Sequence, residues 1–414
     1  MQPEETRILF WSSNFNSPIG GAEIWAGHYL RATHHRGYRI EVIVAEEEDR
    51  NHVSTDGPNP FPVHSLHAAH ALRSADPREF IACLRRAAAI EAAFRPHLLH
   101  ISLGLSAPMP LLFIMSRGLI RGMAASDIPA PANLMSLHHD WSDQFAASDS
   151  PYKRMLQQMD WVCCFSQSTL HRIRSQSSLL APALVHRSSM IPHAILRTGN
   201  HLAPDLISTN TRGDIVPTIA FIGRLSREKG ADLALRAFSL LRSTFPQLRM
   251  IIAGEGPERS SLNALAKELA VAEAVTFTGW LNADAVRDTL RASSLLLVPS
   301  REESFGLIVL EAAHEVCAVV AANVGGLPEV CLDEETGLLC PPENPAALAA
   351  AAARLLSNPQ FARNLAFAAD ARLNANHAWD THVDRYEALT QRLVAERNAH
   401  RDPAAKASKI PVAL

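Results

Sequence analysis

The feature that most constrains this chain is an alternation that runs along it twice: short apolar or β-branched runs separated by amphipathic stretches of helical period. The first half opens with a strand over Arg7–Trp11, a helix over Gly21–His35 and a strand over Ile40–Val44, which is a βαβ start. Helices over Pro77–Phe94 and Gln167–Arg174 and strands over Leu98–Ile101, Asn133–Leu137 and Trp161–Phe165 extend it. Strands that alternate with helices imply a parallel sheet covered on both faces. The Pro-, His- and Ser-rich run Asn51–Arg73 reads as loop, and so does Ile114–Pro131.

Between Leu196 and Asp214 the pattern lapses into polar turn residues. It then restarts with strands over Thr218–Ile222, Arg249–Ala253, Val275–Thr278, Leu295–Val298 and Ala318–Ala321. Helices over Ala231–Phe245, Glu258–Leu269, Ala283–Ala292 and Leu307–Val316 lie between them. A chain of 414 residues exceeds the size at which one core keeps growing. The expected fold class is therefore α/β, with two facing doubly wound, Rossmann-like domains at residues 1–200 and 215–378 and a linker at 201–214. Ala346–Ala399 is alanine-rich and reads as helix by propensity.

Composition excludes several classes. Charged residues are 20% and the formal net charge is −3, so no general affinity for polyanions follows and any phosphate site needs local cations. No basic run is interleaved with aromatics, which argues against nucleic acid. The opening Met1-Gln-Pro-Glu-Glu-Thr lacks the order of a signal peptide and no apolar run reaches the length of a membrane span. A cytoplasmic protein is expected, with any membrane contact peripheral and at the inner face. The six cysteines form no Cys-x-x-Cys pair and read as reduced core thiols. His64, His67 and His70 recur every third residue; without a carboxylate or thiol at ligand spacing they read as a polar surface loop.

Chemistry-bearing residues collect where strands end. In Pro299-Ser-Arg-Glu-Glu-Ser-Phe-Gly-Leu-Ile-Val-Leu-Glu311, Glu303 precedes a helix and Glu311 lies inside it. A loop that enters a helix from a strand's carboxyl end offers unpaired N–H groups and the positive end of the dipole to an anion. Two glutamates at a helix end are usually just solvated; their neighbours set these apart. Ile222-Gly223-Arg224-Leu-Ser-Arg-Glu-Lys229-Gly230 places two cations beside another helix start, suited to a diphosphate. Such cations are common on surfaces, but open α/β sheets bind ligands at this position. Gly254-Glu-Gly-Pro257 and Gly279-Trp-Leu281 follow the next two strands. The first is suited to close backbone approach to a ligand or to an ordinary turn, and Trp280 to a base contact or to packing. In the first half, Gly20-Gly21-Ala-Glu23 lies between strand and helix without dinucleotide spacing. Ser136-Leu-His138-His139-Asp140-Trp141 delivers imidazole and carboxylate to a strand end, a better candidate than a lone buried histidine.

Taken in order, these segments resemble the retaining glycosyltransferases of the GT-B fold, glycosyltransferase family 4. Gly325-Gly326-Leu-Pro-Glu329 and Trp379-Asp-Thr-His-Val-Asp-Arg-Tyr386 also agree, and the likeness is strongest over Ile219–Leu339. The resemblance implies a nucleoside-diphosphate sugar in the interdomain cleft, a UDP- or GDP-sugar, with no cofactor and no metal. Arg224 and Lys229 would bind the diphosphate, amides around Ser304, Phe305, Gly306 and Leu307 would cap it, and Glu311 would hold the ribose. Gly254 and Trp280 would flank the nucleotide. Glu303 would hold sugar hydroxyls; Gly21 would approach from the first domain, and His138 would stand on the acceptor side near the anomeric carbon. The acceptor would be a glycan, a lipid-linked molecule or a small molecule, in polysaccharide assembly. The helix at 379–400 would cross back to the first domain. Retention would follow from front-face attack, the leaving phosphate accepting the acceptor's proton.

Two departures stand out. Ile191-Pro192-His193-Ala194 replaces the Ile-Pro-Asn-Gly common in relatives. Strand alternation lets only one of His138 and His139 face the cleft, and the sequence leaves open which. Two other functions fit the architecture: a nucleotide-sugar epimerase or hydrolase, and a non-catalytic nucleotide-sugar-binding protein. The intact Arg224, Lys229, Glu303 and Glu311 favour transfer, and missing glycine fingerprints disfavour a nicotinamide oxidoreductase.

Overall fold

The computed structural model describes residues 3–15, 21–45, 59–74, 76–103, 108–123, 130–138, 150–176, 182–196 and 216–399. Two units divide the chain, Met1–Pro192 with Asp380–Leu414, and His193–Trp379. The polar stretch 201–214, His139 and Asp140 lie outside the described residues.

In chain order the first unit contains β1 (Arg7–Ser12), α1 (Gly21–His35), β2 (Arg39–Val44), β3 (Val63–Ser65), α2 (Ala68–Arg73), α3 (Pro77–Phe94) and β4 (Leu98–Leu103). It continues through α4 (Pro108–Met123), β5 (Ala132–Leu137), α5 (Pro151–Leu156), β6 (Trp161–Cys164), α6 (Gln167–Ser175) and β7 (Ser188–Met190). Among the described residues its strands form one sheet in the order β3-β2-β1-β4-β5-β6-β7, with every pairing parallel. Leu9, Trp11, Leu99, Ile101, Met135 and Val162 are fully buried in its core. Helix starts follow local rules: Asp76 accepts from the Arg78 amide at 2.8 Å ahead of Pro77, a cap with proline in the first turn.

The second unit contains β8 (Thr218–Ile222), α7 (Ala231–Arg242), β9 (Arg249–Ala253), α8 (Arg259–Glu268), β10 (Val275–Gly279), α9 (Ala283–Ala292) and β11 (Leu295–Val298). It then has α10 (Leu307–His314), β12 (Val319–Ala322), α11 (Leu327–Val330), β13 (Leu338–Cys340), α12 (Pro345–Ser357) and α13 (Pro359–Asn376). Its described strands are also parallel and ordered β10-β9-β8-β11-β12-β13. The order reverses between β8 and β11, so the loops leaving these neighbours diverge and open a crevice at the sheet's carboxyl edge.

The last helix, α14 (Trp379–Ala399), belongs to the first unit from Asp380 onward. Trp25 Nε1 donates to His382 Nε2 at 2.7 Å, and His382 Nδ1 lies 2.7 Å from the Pro192 carbonyl. Nε2 must accept and Nδ1 must donate, so both contacts require the neutral imidazole with its proton on Nδ1. A second thread runs from His100 Nε2 to Ser136 Oγ at 2.8 Å and on to the Tyr386 hydroxyl at 2.9 Å. At the rim Arg36 donates to Asp384 at 2.6 Å and to Glu387 at 2.7 Å.

Several expectations need correction. Within Asn51–Arg73, Val63–Ser65 is a strand paired with β2 and Ala68–Arg73 is a helix. His64 sits on that strand, 2.9 Å from Glu41, and His70 inside the helix, so the three histidines are not a loop. The pairing is made by backbone, which a three-residue strand cannot advertise in its side chains. Pro108–Met123 is helix where loop was expected from Ile114; Pro108 and Pro110 are tolerated because they fall in the first turn. Ala346–Ala399 divides at Asn358-Pro359 and at His377, each asparagine before a proline capping a new helix. Cys83 is only half-buried, unlike the other five thiols. No helix among the described residues is long and apolar enough to cross a membrane.

Candidate functional site

The second unit gathers its charged groups at the β8/β11 crevice. After β8 the chain passes Gly223 and Arg224, anchors itself with the fully buried Leu225, and makes a single 3-10 turn, Arg227–Lys229, before α7. After β11 it runs through the buried Ser300 to Glu303, Ser304 and the buried Phe305. Gly306, at φ 95°, then caps α10. Two loops 74 residues apart meet where Lys229 Nζ donates to Glu303 Oε2 at 2.8 Å. Ser300 Oγ supports the same oxygen at 3.3 Å.

The remaining ionised groups are differently placed. Arg224 is exposed, and among the described residues its guanidinium makes no hydrogen bond or ion pair; its charge acts on Glu228. Burial alone would raise Glu228, but the Ser226 hydroxyl and the Lys229 and Arg224 charges outweigh it and hold that carboxyl below its usual range. Glu311 lies in the second turn of α10, half-buried, with no hydrogen bond or ion pair to its carboxylate among the described residues. Burial, with the Glu315 charge adding to it, pushes Glu311 up to about 7. Glu315 is itself neutralised by Arg291 from α9. A carboxylate left without a donor in a desolvated place is under pressure to find hydroxyl partners.

Glycines shape these loops by admitting neighbouring backbone. A Cβ on Gly254 would stand 1.9 Å from the Gly223 carbonyl oxygen, so the Gly254-Glu-Gly-Pro turn is spent on closing against the Arg224 loop. Gly325 does the same for the other loop: its Cβ would meet the Glu303 carbonyl oxygen at 1.9 Å, and the Gly326 amide donates to that oxygen at 2.8 Å. The Gly325-Gly326 pair thereby holds Glu303 from behind. Trp280, after β10, is 43% exposed.

Arg301 and His377 had no assigned role in the sequence, and His193 stood there only as a departure. Arg301 binds Asp232, Glu343 and the Arg227 carbonyl; in sequence it looked like one more charged loop residue. His193 stands edge-on to Phe305 with ring centroids 5.2 Å apart, and its carbonyl faces His377 Nδ1 at 2.7 Å. The His193-Ala194 departure thus supplies a ring beneath Phe305. His377, 5.8 Å from Phe305, had no motif to reveal it.

In the first unit Gly21 begins α1, with 16–20 outside the described residues. His138 follows β5 directly and is 7% exposed. Its ring lies 4.5 Å from Phe165 and 4.8 Å from Trp25, centroid to centroid. His139 and Asp140 are outside the described residues, so the expected His–His–Asp cluster reduces here to His138. Among the described residues no three His, Cys, Asp or Glu side chains gather as metal ligands would.

The half of the chain that holds this crevice is similar to known proteins. Residues 209–372 match the model of glycosyl transferases group 1. That segment is less than half of the chain. The chain is similar to a glycogen synthase of Mycobacterium tuberculosis, 35% identical over 45% of this chain and 44% of that protein. It is also similar to a D-inositol 3-phosphate glycosyltransferase of Acidothermus cellulolyticus, 38% identical over 43% of this chain and 42% of that protein. The chain therefore spans less than half the length of these curated relatives. Solved structures extend the likeness in fold. A sucrose-phosphate synthase from Thermosynechococcus elongatus matches with a TM-score of 0.76 at 21% identity over 95% of this chain and 100% of that one. HepE of Anabaena, in complex with UDP and glucose, matches with a TM-score of 0.70 at 18% identity over 94% and 100%. The fold of the chain is that of these GT-B glycosyltransferase structures.

Proposed function

We propose that the protein is a metal-independent, retaining glycosyltransferase that moves a sugar from a nucleoside-diphosphate sugar to a glycan, lipid-linked or small-molecule acceptor. The observation that carries this reading is the meeting of Lys229 and Glu303 at 2.8 Å where the strand order reverses, beside an Arg224 with no protein partner among the described residues. Such a crevice suits a diphosphate: one cation already oriented by a carboxylate, a second open to solvent, and a helix start at Phe305–Leu307 offering amides. The names of the relatives and the UDP and glucose bound to HepE support the same substrate class.

In this mechanism Arg224 and Lys229 meet the negative charge that grows on the diphosphate as the sugar–phosphate bond breaks, and stabilise it more than the ground state. Glu303 orients Lys229 and accepts from sugar hydroxyls. Glu311 accepts from the ribose hydroxyls, which supply the donors its carboxylate lacks. Gly254 and Trp280 flank the nucleotide, with the Trp280 ring exposed to receive the base. Gly21 and His138 act from the first unit on the acceptor side. The acceptor's proton passes to the leaving phosphate, so no protein nucleophile is required.

The test offers the purified protein a panel of UDP-, GDP- and ADP-sugars and measures binding and slow donor hydrolysis. Binding and cleavage of at least one donor is expected. A protein that binds a nucleotide sugar without cleaving or transferring it is a binding protein, and one that binds none has another function altogether.

A further inference from the structure

The Lys229–Glu303 pair has a support that no part of the donor reading requires. Arg301 stands two residues before Glu303 and uses its fork on three elements at once. Nη1 and Nη2 donate to the two carboxylate oxygens of Asp232 at 2.7 and 2.8 Å. Nε donates to Glu343 Oε1 at 2.6 Å and Nη1 to the Arg227 carbonyl at 2.8 Å. The Arg301 amide also donates to the Glu228 carbonyl at 2.7 Å. Arg227 and Glu228 are the first two residues of the 3-10 turn that ends in Lys229, and Asp232 is in the first turn of α7 just beyond it.

An exposed ion pair generally contributes little. This one is bidentate, networked and on a side chain only 15% exposed, the geometry in which a guanidinium fixes position as well as charge. Burial alone would raise Asp232, but the Arg301 fork outweighs it and holds the carboxyl below its usual range. The turn it grips is one short 3-10 turn without a side-chain cap, closed by the Gly230 amide on the Arg227 carbonyl at 3.2 Å, and Arg301 adds a second donor to that carbonyl.

We propose that Arg301 is a positioning residue for the diphosphate: its fork on Asp232 and the Arg227 carbonyl fixes the turn that delivers Lys229 to the crevice. The inference rests on the donor-site reading above. A lysine at this position keeps the charge but cannot span Asp232 and the Arg227 carbonyl with one planar group.

The experiment measures UDP, GDP and ADP binding by calorimetry for the wild type, Arg301→Met, Arg301→Lys and Asp232→Asn, each alone and with Lys229→Ala. Arg301→Met is expected to weaken binding of the diphosphate that the wild type binds by about tenfold. Arg301→Lys is expected to recover the melting temperature without recovering affinity, a split that a merely structural role would not produce. In the Lys229→Ala background the Arg301 effect vanishes, because Arg301 acts through Lys229. Asp232→Asn, which breaks the fork from the other side, gives the same pattern if Arg301→Met does not fold. An affinity unchanged in both Arg301→Met and Asp232→Asn, or a loss that persists in full without Lys229, overturns the positioning role while leaving the donor site standing. A wild type that binds none of the three nucleotides overturns both.

Discussion

The two units are built on the same doubly wound plan, yet they use their polar residues in opposite ways. In the first, histidine, tyrosine, tryptophan and serine are consumed internally: His100, Ser136 and Tyr386 form one thread, and Trp25, His382 and the Pro192 carbonyl form another. Both threads hold the last helix. In the second, the charged groups at the sheet edge are displayed. Arg224 is open to solvent, Glu311 keeps an unpartnered carboxylate among the described residues, and Lys229 is aimed but not covered. The difference teaches that buried hydrogen bonds serve position, while a binding edge keeps its hydrogen-bonding capacity unspent.

The largest expected effect falls on the displayed side. Lys229→Ala should cut donor turnover by about 10²–10³-fold, the usual consequence of removing a group that stabilises developing charge, with little change in melting temperature. Steady-state kinetics beside thermal melts would show this, and unchanged transfer would remove Lys229 from the site. Next comes an acid response on the consumed side. Burial lowers His100 from 6.5 to about 3, so the unfolded chain takes up a proton that the folded one refuses. Stability is complete above the unfolded value of 6.5 and is lost as pH falls towards about 3, at up to about 1.4 kcal/mol per pH unit from this group. Urea titrations across that range should show the slope, and His100→Gln should flatten it.

Trp25→Phe removes one donor and leaves His382 Nε2 buried without it, a loss of about 1–3 kcal/mol in denaturant unfolding. Nucleotide affinity, set in the other unit, should not move. A shift in affinity would mean that the consumed polar groups also serve ligand binding. The smallest effect concerns Glu311. Donor affinity should decline as pH falls through about 7, and Glu311→Gln should abolish that dependence while weakening binding about tenfold. Because its folded pKa lies above the unfolded one, the ionised carboxylate costs stability as pH rises through about 7. Glu311→Gln should therefore melt higher than the wild type at pH above about 8 and no higher at about pH 4.

Elements with strong periodicity were legible from the chain: Gly21–His35, Pro77–Phe94 and Arg249–Ala253 begin and end in the structure where their patterns do. Short elements were not. Val63–Ser65 exists because β2 offers it an edge, and Ser188–Met190 because β6 does; neither has enough residues to show a period. At the crevice the sequence supplied Arg224, Lys229, Glu303 and Glu311 as residue types at strand ends. It could not supply Arg301 as a keystone, because its partners Asp232 and Glu343 are 69 and 42 residues away.

The sequence alone determined the parallel α/β class, the strand ends where charge collects, and the glycines those loops cannot do without, since each follows from local sterics and side-chain period. The tertiary structure alone decided which charges are engaged and which stay open. Lys229 meets Glu303 only because β8 and β11 are neighbours in the sheet, and strand order is set by the packing of the whole unit. The return of α14 to the first unit was likewise decided by buried partners, Trp25 and Ser136, that lie hundreds of residues before it.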